Sequence, residues 1–353
     1  MAEAPPSMVR NRHYIRTARI SSIGVGVLIL WSLAFLLSGC ATPVTQTRLS
    51  PMKPPEPVFL PEESTFVSFD CARLGLTVWP AEGTDQPEYV VIGLHGMNDY
   101  ANAFHIAAPY WAEQGVTTYA YDQRGFGRSP ERGVWPDEEV MRQDLRTATA
   151  LARKSHPDAT IAVIGISMGG SVALSAFGSD NPPDADRLIA SGPGLRGWGA
   201  MNFLYRASLW ASAHARPGWI VRPPARFVHI EPSDNIEMLR RASEDPLMLT
   251  ENRIDQVYGL VSLMESAHQS VQDLPPKLPV LLSYGANDYV VPPKGVKRTA
   301  KELPDHVRTV YYEDGYHMLT RDLQAETVNA DYLAFMVNPA GDLPSHSPEW
   351  PFR

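Results

Sequence analysis

A serine flanked by glycines two residues before and two residues after it carries the clearest chemical signal in the sequence. The stretch Thr160-Ile-Ala-Val-Ile-Gly165-Ile166-Ser167-Met168-Gly169-Gly170 runs from an apolar segment, through Gly-x-Ser-x-Gly, into a segment rich in small residues. A sharp strand-to-helix turn of this kind leaves no space for Cβ atoms at the two glycines, and it holds the serine hydroxyl over the carboxyl edge of a sheet. The pattern predicts that Ser167 is a nucleophile.

A serine nucleophile needs a base and an acid. An imidazole takes the hydroxyl proton, and a carboxylate orients the imidazole and stabilises its charged form. With an elbow of this type the chain order is serine, then carboxylate, then histidine. His317 follows the late predicted strand Val307–Tyr312, and Asp288 follows the predicted strand Val280–Tyr284. We therefore predict Asp288 as the acid and His317 as the base.

Other polar residues near these positions are assigned structural roles. Asp314 is close to His317 in sequence but is expected to shape the loop with Gly315, and Asn287 is expected to support the turn around Asp288. Several histidines follow no late strand and are predicted to be hydrogen-bonded structural or surface residues: His95, His105, His214, His229, His268 and His306.

Acyl transfer also requires hydrogen-bond donors that face the developing oxyanion. In a nucleophile elbow one donor is the backbone N–H that follows the serine, here Met168. The second is expected in the loop after the predicted strand Tyr89–Leu94, where Gly96 allows close backbone approach and Met97 comes next. We predict Met97 and Met168 as the residues of the oxyanion hole.

Predicted strands and helices alternate along most of the chain, which is typical of an α/β protein with a mostly parallel sheet flanked by helices. The predicted strands are Phe66–Asp70, Leu74–Trp79, Tyr89–Leu94, Val116–Tyr121, Thr160–Gly165, Arg187–Ser191, Val280–Tyr284 and Val307–Tyr312. The predicted helices are Tyr100–Gln114, Asp137–His156, Met168–Phe177, Pro293–Leu303 and Thr320–Val337. From about 193 to 278 the alternation stops, and three helices separated by prolines predict an inserted helical cap: Met201–His214, Asn235–Ser243 and Asn252–Gln269.

The first 39 residues predict a leader, because arginines precede an uncharged stretch from Ile20 to Leu37. The following Leu37-Ser38-Gly39-Cys40 resembles the lipobox of bacterial lipoproteins. That resemblance implies cleavage just before Cys40 and a diacylglyceryl group on its thiol. The alternative is a chance cysteine after an uncleaved signal anchor, and both interpretations place the rest of the chain outside the cytoplasm.

The lipobox resemblance implies a lipid-anchored protein of the cell envelope. Ala41 stands where aspartate would indicate retention at the inner membrane, so the periplasmic side of the outer membrane is expected. Frequent prolines predict an extended tether over residues 40–61. A folded domain is then expected at 62–338, followed by a proline-rich, non-helical tail at 339–353.

Composition excludes several other classes of function. The 353 residues carry a formal net charge of −8, so no overall positive field exists to attract nucleic acid. Two cysteines are too few for a disulfide framework or a four-ligand zinc site. Cys71 is expected to be an inert thiol, and no cofactor or metal is predicted.

From Phe66 to Val337 the chain resembles the α/β-hydrolase superfamily, specifically its monoacylglycerol lipase and lysophospholipase branch of the S33 serine aminopeptidase type. Four motifs carry the resemblance: His95-Gly96-Met97, the loop Asp122–Ser129, the elbow Gly165–Gly170, and the pair Asp288 and His317. The resemblance implies that Asp122 and Arg124 are structural residues of a loop at the edge of the site.

The sequence departs from this branch at two places. Ile166 stands before the nucleophile, where the branch usually has histidine. The start of the cap is rich in aromatic residues, which are expected either to line an acyl channel or to pack the cap: Trp198, Phe203, Tyr205, Trp210 and Trp219.

The resemblance implies a membrane-anchored serine hydrolase that cleaves carboxylic esters, with a monoacylglycerol or lysophospholipid as substrate. One alternative is a proline-type aminopeptidase, in which cap carboxylates bind the substrate amine; the candidates are Glu231, Glu237, Glu244 and Glu251. Another is a non-catalytic envelope scaffold that keeps the fold as a binding surface. The sequence carries no prediction of the oligomeric state.

Overall fold

The computed structural model of the protein describes residues 41–52, 56–221 and 231–352. The predicted leader and Cys40 lie outside these ranges. Thr42–Arg353 form a compact unit of their own. Within the described ranges, no helix has both the length and the apolar character needed to cross a membrane.

A nine-stranded sheet forms the centre of this unit. The strands of the described residues are β1 (Thr45–Gln46), β2 (Val58–Leu60), β3 (Thr65–Val67), β4 (Arg73–Trp79), β5 (Tyr89–Leu94), β6 (Val116–Tyr121), β7 (Trp135–Pro136), β8 (Thr160–Ile166), β9 (Arg187–Ser191), β10 (Ile220–Val221), β11 (Asn252–Arg253), β12 (Val280–Gly285) and β13 (Val307–Tyr312). The order in the large sheet is β13-β12-β9-β8-β5-β6-β4-β3-β2. Strands from β13 to β6 pair in parallel, and β4, β3 and β2 extend the sheet in antiparallel fashion.

Helices cover both faces of the sheet. The α-helices of the described residues are α1 (Ala107–Ala112), α2 (Glu138–Ser155), α3 (Met168–Phe177), α4 (Phe203–Ala215), α5 (Ile236–Glu244), α6 (Ile254–Ser270), α7 (Pro293–Ala300) and α8 (Ala325–Val337). Alternate residues of β5 enter different clusters, with Val90 and Ile92 in one and Val91 in the other. This alternation is the period-two pattern of a strand buried on both faces. The predicted α/β architecture is confirmed.

Two predicted helices begin or run differently in the structure. The segment predicted as one helix over Tyr100–Gln114 forms a short 3-10 turn, Ala101–Phe104, followed by α1. Asp122 Oδ1 accepts a hydrogen bond from Ala101 N at 2.9 Å, which fixes the start of the turn by a tertiary contact. The last helix begins at Ala325 rather than Thr320, because the residues just before it form side-chain contacts with other loops.

The prediction of an extended tether over residues 40–61 is wrong for part of this segment, because some of its residues pair with strands of the folded domain. Residues Val58–Leu60 pair with Thr65–Val67 as the edge strand of the large sheet. Further upstream, β1 pairs with β7, and the buried Gln46 side chain donates a hydrogen bond of 2.8 Å to the Val134 carbonyl. Among the described residues from 41 to 60 no helix forms, and Pro61 begins a short 3-10 helix, Pro61–Glu63. Prolines are also compatible with short edge strands.

The tail at 339–353 is non-helical over its described residues, and it packs against the domain. Trp350 is buried, and its Nε1 donates a hydrogen bond of 3.0 Å to the Val310 carbonyl of β13. Tyr311 N donates to the Pro348 carbonyl at 2.8 Å. The tail therefore covers the β13 end of the sheet.

The predicted cap range 193–278 contains α4, α5 and α6. Helix α6 has two roles, since its Leu263 and Ala267 belong to the main core. On α6, Val261 and Met264 instead form a separate small cluster with Leu209 of α4. Helix α6 thus belongs both to the main core and to the cap.

Candidate active site

Ser167 lies at the turn between β8 and α3, in a backbone conformation that side-chain-bearing residues rarely adopt, with φ of 52° and ψ of −112°. A Cβ atom on Gly165 would lie 2.4 Å from the Gly169 carbonyl oxygen. One on Gly169 would lie 2.3 Å from the Leu94 carbonyl oxygen. Only glycine fits at these two positions, as the sequence predicts for a nucleophile elbow.

Three side chains from distant parts of the chain form a continuous hydrogen-bonded series. His317 Nε2 lies 2.9 Å from Ser167 Oγ, and His317 Nδ1 lies 2.8 Å from Asp288 Oδ2. The other carboxylate oxygen of Asp288 accepts backbone N–H bonds from Val290 at 2.9 Å and Val291 at 2.8 Å. Both Asp288 and His317 are buried. The structure therefore brings together the three side chains that the sequence predicts as acid, base and nucleophile.

The two predicted oxyanion donors flank the serine. Met168 is the first residue of α3, so its N–H has no acceptor within the helix. Met97 belongs to the loop after β5, and no described residue accepts a hydrogen bond from its N–H. A Cβ atom on Gly96 would lie 3.3 Å from Ser167 Cβ, which shows how closely this loop approaches the serine.

His95 holds the loop that carries Met97. Its Nδ1–H donates to the Gly96 carbonyl at 2.7 Å, and its Nε2 accepts from Gln123 N at 2.8 Å. Gln123 Nε2 in turn donates to the His95 carbonyl at 2.8 Å. Burial lowers the pKa of His95, which favours the neutral ring that these bonds require. His95 is thus a hydrogen-bonded structural histidine.

The loop Asp122–Ser129 supports the edge of the site through buried charges. Arg124 pairs with Asp70 and Asp144, each at 2.7 Å, and all three are buried. Burial would raise the pKa of Asp122, but hydrogen bonds from Arg128 to Asp122 lower it. Asp122 and Arg124 therefore hold backbone segments in place.

Two buried contacts around His317 are absent from the sequence-based prediction. Arg321 pairs with Asp99 at 2.6 Å, which joins the loop after His317 to the loop that carries Met97. Ser233 Oγ donates to Asp322 Oδ1 at 2.6 Å, which joins the same loop to the cap. The partners are separated by 222 and 89 residues, and no local spacing pattern signals either pair.

Asp322 also contacts the backbone next to His317. Its Oδ2 accepts a hydrogen bond of 2.8 Å from Tyr316 N. Burial raises the pKa of Asp322 to about 6, against the opposing effect of the hydrogen bonds from Ser233 and Tyr316. The Asp322 carboxyl, with its raised pKa, therefore binds the backbone N–H of Tyr316, the residue that precedes the candidate base.

The five aromatic residues at the start of the cap were expected either to line an acyl channel or to pack the cap. As a group they do neither. Trp198 packs edge-on against Tyr258, with ring centroids 5.1 Å apart. The other four are between 52% and 77% exposed: Phe203, Tyr205, Trp210 and Trp219. They do not fill the cap interior.

Comparison with known proteins identifies the family. The family described as serine aminopeptidase, S33, matches residues 85–324, which is more than half of the chain and includes every predicted site residue except Cys40. The chain belongs to the S33 serine aminopeptidase family. This S33 protein is 26% identical over 292 residues to a monoacylglycerol lipase of Mycolicibacterium smegmatis, covering 78% of this chain and 97% of that protein. It is 25% identical over 288 residues to a monoglyceride lipase of Rattus norvegicus, covering 79% and 90%.

Solved structures agree on the fold of this S33 protein. A soluble variant of monoglyceride lipase from Saccharomyces cerevisiae, in complex with a substrate analog, aligns with a TM-score of 0.63 at 18% identity, covering 85% of this chain and 100% of that chain. A carboxyl esterase from Bacillus coagulans, in complex with glycerol, aligns with a TM-score of 0.62 at 20% identity, covering 77% and 96%. The α/β-hydrolase fold is confirmed. The S33 family match and these lipase relatives support the prediction of a carboxylic ester hydrolase.

The described residues hold no group of three or more histidine, cysteine, aspartate or glutamate side chains that could bind a metal ion. The chemistry that this arrangement can perform is nucleophilic attack by Ser167 with proton transfer through His317.

Proposed function

We propose that the protein is a serine ester hydrolase in which Ser167, His317 and Asp288 form the catalytic triad. The observation that carries this proposal is the unbroken hydrogen-bonded series from Asp288 through His317 to a serine held at a strained turn. Strain at one residue persists only where the surrounding structure holds it, and it is concentrated at functional sites.

The mechanism follows from these atoms. Ser167 Oγ attacks the ester carbonyl carbon while His317 Nε2 takes the hydroxyl proton, and Asp288 stabilises the imidazolium through Nδ1–H. The tetrahedral oxyanion accepts hydrogen bonds from Met97 N–H and Met168 N–H. His317 returns the proton to the leaving alcohol, which leaves the acyl group on Ser167. Water, activated by His317, then attacks the acyl-enzyme and releases the carboxylic acid.

We infer that the substrate is a monoacylglycerol or a lysophospholipid. The support comes from relatives that are named as monoacylglycerol and monoglyceride lipases and that align with this chain over at least 90% of their own length. No cofactor takes part in the proposed mechanism, because hydrogen bonds and a side-chain nucleophile supply each step.

We further propose that Cys40 carries the lipid anchor, with the enzyme domain on the periplasmic side of the outer membrane. The support is the lipobox-like sequence Leu37-Ser38-Gly39-Cys40 after an uncharged stretch. Replacing Cys40 by alanine should abolish incorporation of labelled palmitate and leave a longer, unprocessed chain. Palmitate incorporation in the Cys40→Ala protein would contradict this assignment.

The family description favours one competing function, hydrolysis of aminoacyl substrates. That function would need free cap carboxylates to bind the substrate amine. Glu237 instead pairs with Arg240 at 3.0 Å and Arg241 at 2.9 Å, and Glu244 pairs with Arg240 at 2.8 Å. These ion pairs engage two of the four predicted cap carboxylates on the exposed face of α5, which favours the ester hydrolase over the aminopeptidase.

A paired substrate assay tests the proposal. The wild-type chain should hydrolyse a monoacylglycerol and release little product from a prolyl-arylamide, and Ser167→Ala should lower the ester turnover by about a thousandfold or more. Preference for the arylamide would support the aminopeptidase. Absence of Ser167-dependent labelling by a fluorophosphonate would support a non-catalytic scaffold and overturn the proposal.

A further inference from the structure

The chain enters the folded domain through residues 44–49, which we call the N-terminal strap. Its strand β1 pairs in parallel with β7, and Thr45 lies opposite Trp135. Among the described residues 41–52, Gln46 alone is buried, with 6% of its surface exposed. Buried polar groups need hydrogen-bond partners, so the contacts of this amide show what the strap holds.

The Gln46 amide closes the far end of the loop that follows β6. Its Nε2 donates to the carbonyls of Val134 at 2.8 Å, Glu131 at 3.2 Å and Pro130 at 3.4 Å. Gly125 lies against the same place with φ of 84°, and a Cβ atom on it would be 2.4 Å from the Val134 carbonyl oxygen and 3.2 Å from Gln46 Nε2. Because three carbonyl oxygens converge on one amide, the closed form of this loop depends on Gln46 as a donor.

The near end of the same loop holds the oxyanion loop, the loop after β5 that carries Met97. Gln123 exchanges two hydrogen bonds of 2.8 Å with His95, and His95 Nδ1–H donates to the Gly96 carbonyl at 2.7 Å. Both Gln123 and His95 are buried. The N–H of Met97 follows Gly96 directly, so a shift of His95 changes the direction of that N–H.

Phe126 connects the two ends of the loop after β6. Its N–H donates to the Gln123 carbonyl at 3.1 Å. Its ring packs edge-on against His95, with centroids 5.5 Å apart, and edge-on against Trp135 at 6.5 Å. All three rings are buried, and Trp135 belongs to the strand with which the strap pairs. Close-packed interiors transmit displacements, so the strap and His95 are physically coupled.

The other end of the strap reaches this loop through a buried ion pair. Leu49 N donates to Asp70 Oδ2 at 2.8 Å, and Asp70 pairs with Arg124 at 2.7 Å. Burial would raise the pKa of Asp70, but hydrogen bonds from Arg124 and Leu49 lower it. The strap thus holds the same loop at two separate places.

We propose that the N-terminal strap positions the oxyanion loop and that Gln46 is the positioning residue through which it acts. This inference rests on the proposed function, because it concerns the Met97 N–H as an oxyanion donor. Such a donor stabilises the transition state and not the bound substrate, so its displacement lowers kcat and leaves KM nearly unchanged. The strap begins four residues after Cys40, so the segment next to the proposed lipid anchor is also part of the catalytic domain.

The matched variants Gln46→Ala and Thr47→Ala in the full chain test this role, because Thr47 is exposed and lies next to Gln46. Their kcat and KM are measured on p-nitrophenyl acetate, at a temperature at which thermal unfolding shows both variants to be folded. In Gln46→Ala, kcat should fall about tenfold while KM stays within about twofold. Thr47→Ala should match wild type. Gln46→Met, which keeps the length of the side chain and lacks its donors, should behave as Gln46→Ala and replaces it if the alanine variant does not fold.

A transition-state analogue gives a readout that a purely structural role would not change. A trifluoromethyl ketone forms a hemiketal with a serine nucleophile, and the hemiketal oxygen occupies the oxyanion hole. The ketone should bind about tenfold more weakly to Gln46→Ala than to Thr47→Ala or wild type.

Three results would overturn the positioning role. They are a lower melting temperature of Gln46→Ala with unchanged kcat, a rise in KM alone, and equal losses of kcat in Gln46→Ala and Thr47→Ala. Failure of the proposed function has a different signature, since the wild-type chain would then show no Ser167-dependent ester hydrolysis.

Discussion

Ser233 Oγ donates a hydrogen bond of 2.6 Å to Asp322 Oδ1, and this contact joins the cap to the loop that carries His317. Both residues are buried. The backbone adds a second link, since Met318 N bonds to the Pro232 carbonyl at 2.9 Å. The position of the candidate base therefore depends on a segment of the cap as well as on the sheet.

Removing the Asp322 carboxyl should lower kcat, because this carboxyl holds the loop that carries His317. Asp322→Ala leaves Ser233 Oγ and Tyr316 N without their acceptor, a cost of about 1–3 kcal/mol for buried groups. We expect kcat on a soluble ester to fall about tenfold while KM changes little. Asp322→Asn should keep most of the activity, because its amide can accept from Tyr316 N and donate to Ser233 Oγ. Equal activity of both variants and wild type would contradict this positioning role.

The raised pKa of Asp322 also predicts how stability changes with pH. An acid whose pKa rises from 3.8 to about 6 on folding binds its proton more tightly in the folded state. Its stabilising contribution is therefore complete below pH 3.8 and is lost as the pH rises through about 6. Two pKa units correspond to about 3 kcal/mol.

The comparison of wild type with Asp322→Asn isolates this effect. The difference between their free energies of unfolding, measured by urea denaturation, should shift by up to about 3 kcal/mol in favour of Asp322→Asn between pH 4 and pH 7. The shift should be complete slightly above pH 6. A pH-independent difference would show that Asp322 has an ordinary pKa in the folded protein.

Replacement by asparagine should lower kcat strongly at Asp288, which contacts His317, and little at Asp314, which is only close to it in sequence. Asp288→Asn removes the charge that stabilises the imidazolium and favours the wrong tautomer, and we expect kcat to fall by about 10⁴. Asp314→Asn serves as the matched control, since Asp314 is exposed and His317 bonds to Asp288 instead. The test is to measure the ester turnover of both variants at neutral pH. A large loss in Asp314→Asn alone would reverse the assignment.

The buried charges around Arg124 should dominate stability at the edge of the site. Arg124→Gln leaves Asp70 and Asp144 buried without their cation, which should cost about 3–5 kcal/mol. The exposed pair Arg73–Glu63 provides the control, and Arg73→Gln should cost less than about 1 kcal/mol. Denaturant unfolding measures both values. Similar losses in the two variants would show that burial of the Arg124 cluster has no special importance.

Local sequence patterns predict the sheet accurately where strands are continuous apolar runs. The observed bounds of β5, Tyr89–Leu94, and of β13, Val307–Tyr312, equal the predicted ones. Helix α3 also agrees, because the glycines of the elbow leave only one place for the turn. In these elements local preference and tertiary packing favour the same structure.

Tertiary contacts explain what the sequence does not reveal. The prolines around β2 led to the prediction of a tether instead of a strand. The strand forms because β3 has an edge to which it can pair. Thr320–Gln324 carry helical preference but do not start α8, because Arg321 pairs with Asp99 and Asp322 bonds to Ser233. Such pairs join residues that are far apart in the chain, so no periodicity or spacing in the sequence predicts them.

Trapping the acyl-enzyme tests directly whether Ser167 is the nucleophile. The protein is mixed with a p-nitrophenyl ester, quenched in acid within the first turnover, and analysed by intact-mass and peptide mass spectrometry. We expect a burst of p-nitrophenol and a mass increase of one acyl group located on Ser167. Neither the burst nor the adduct should occur in Ser167→Ala. An acyl group on another residue, or undiminished turnover by Ser167→Ala, would contradict the assignment of Ser167 as the nucleophile.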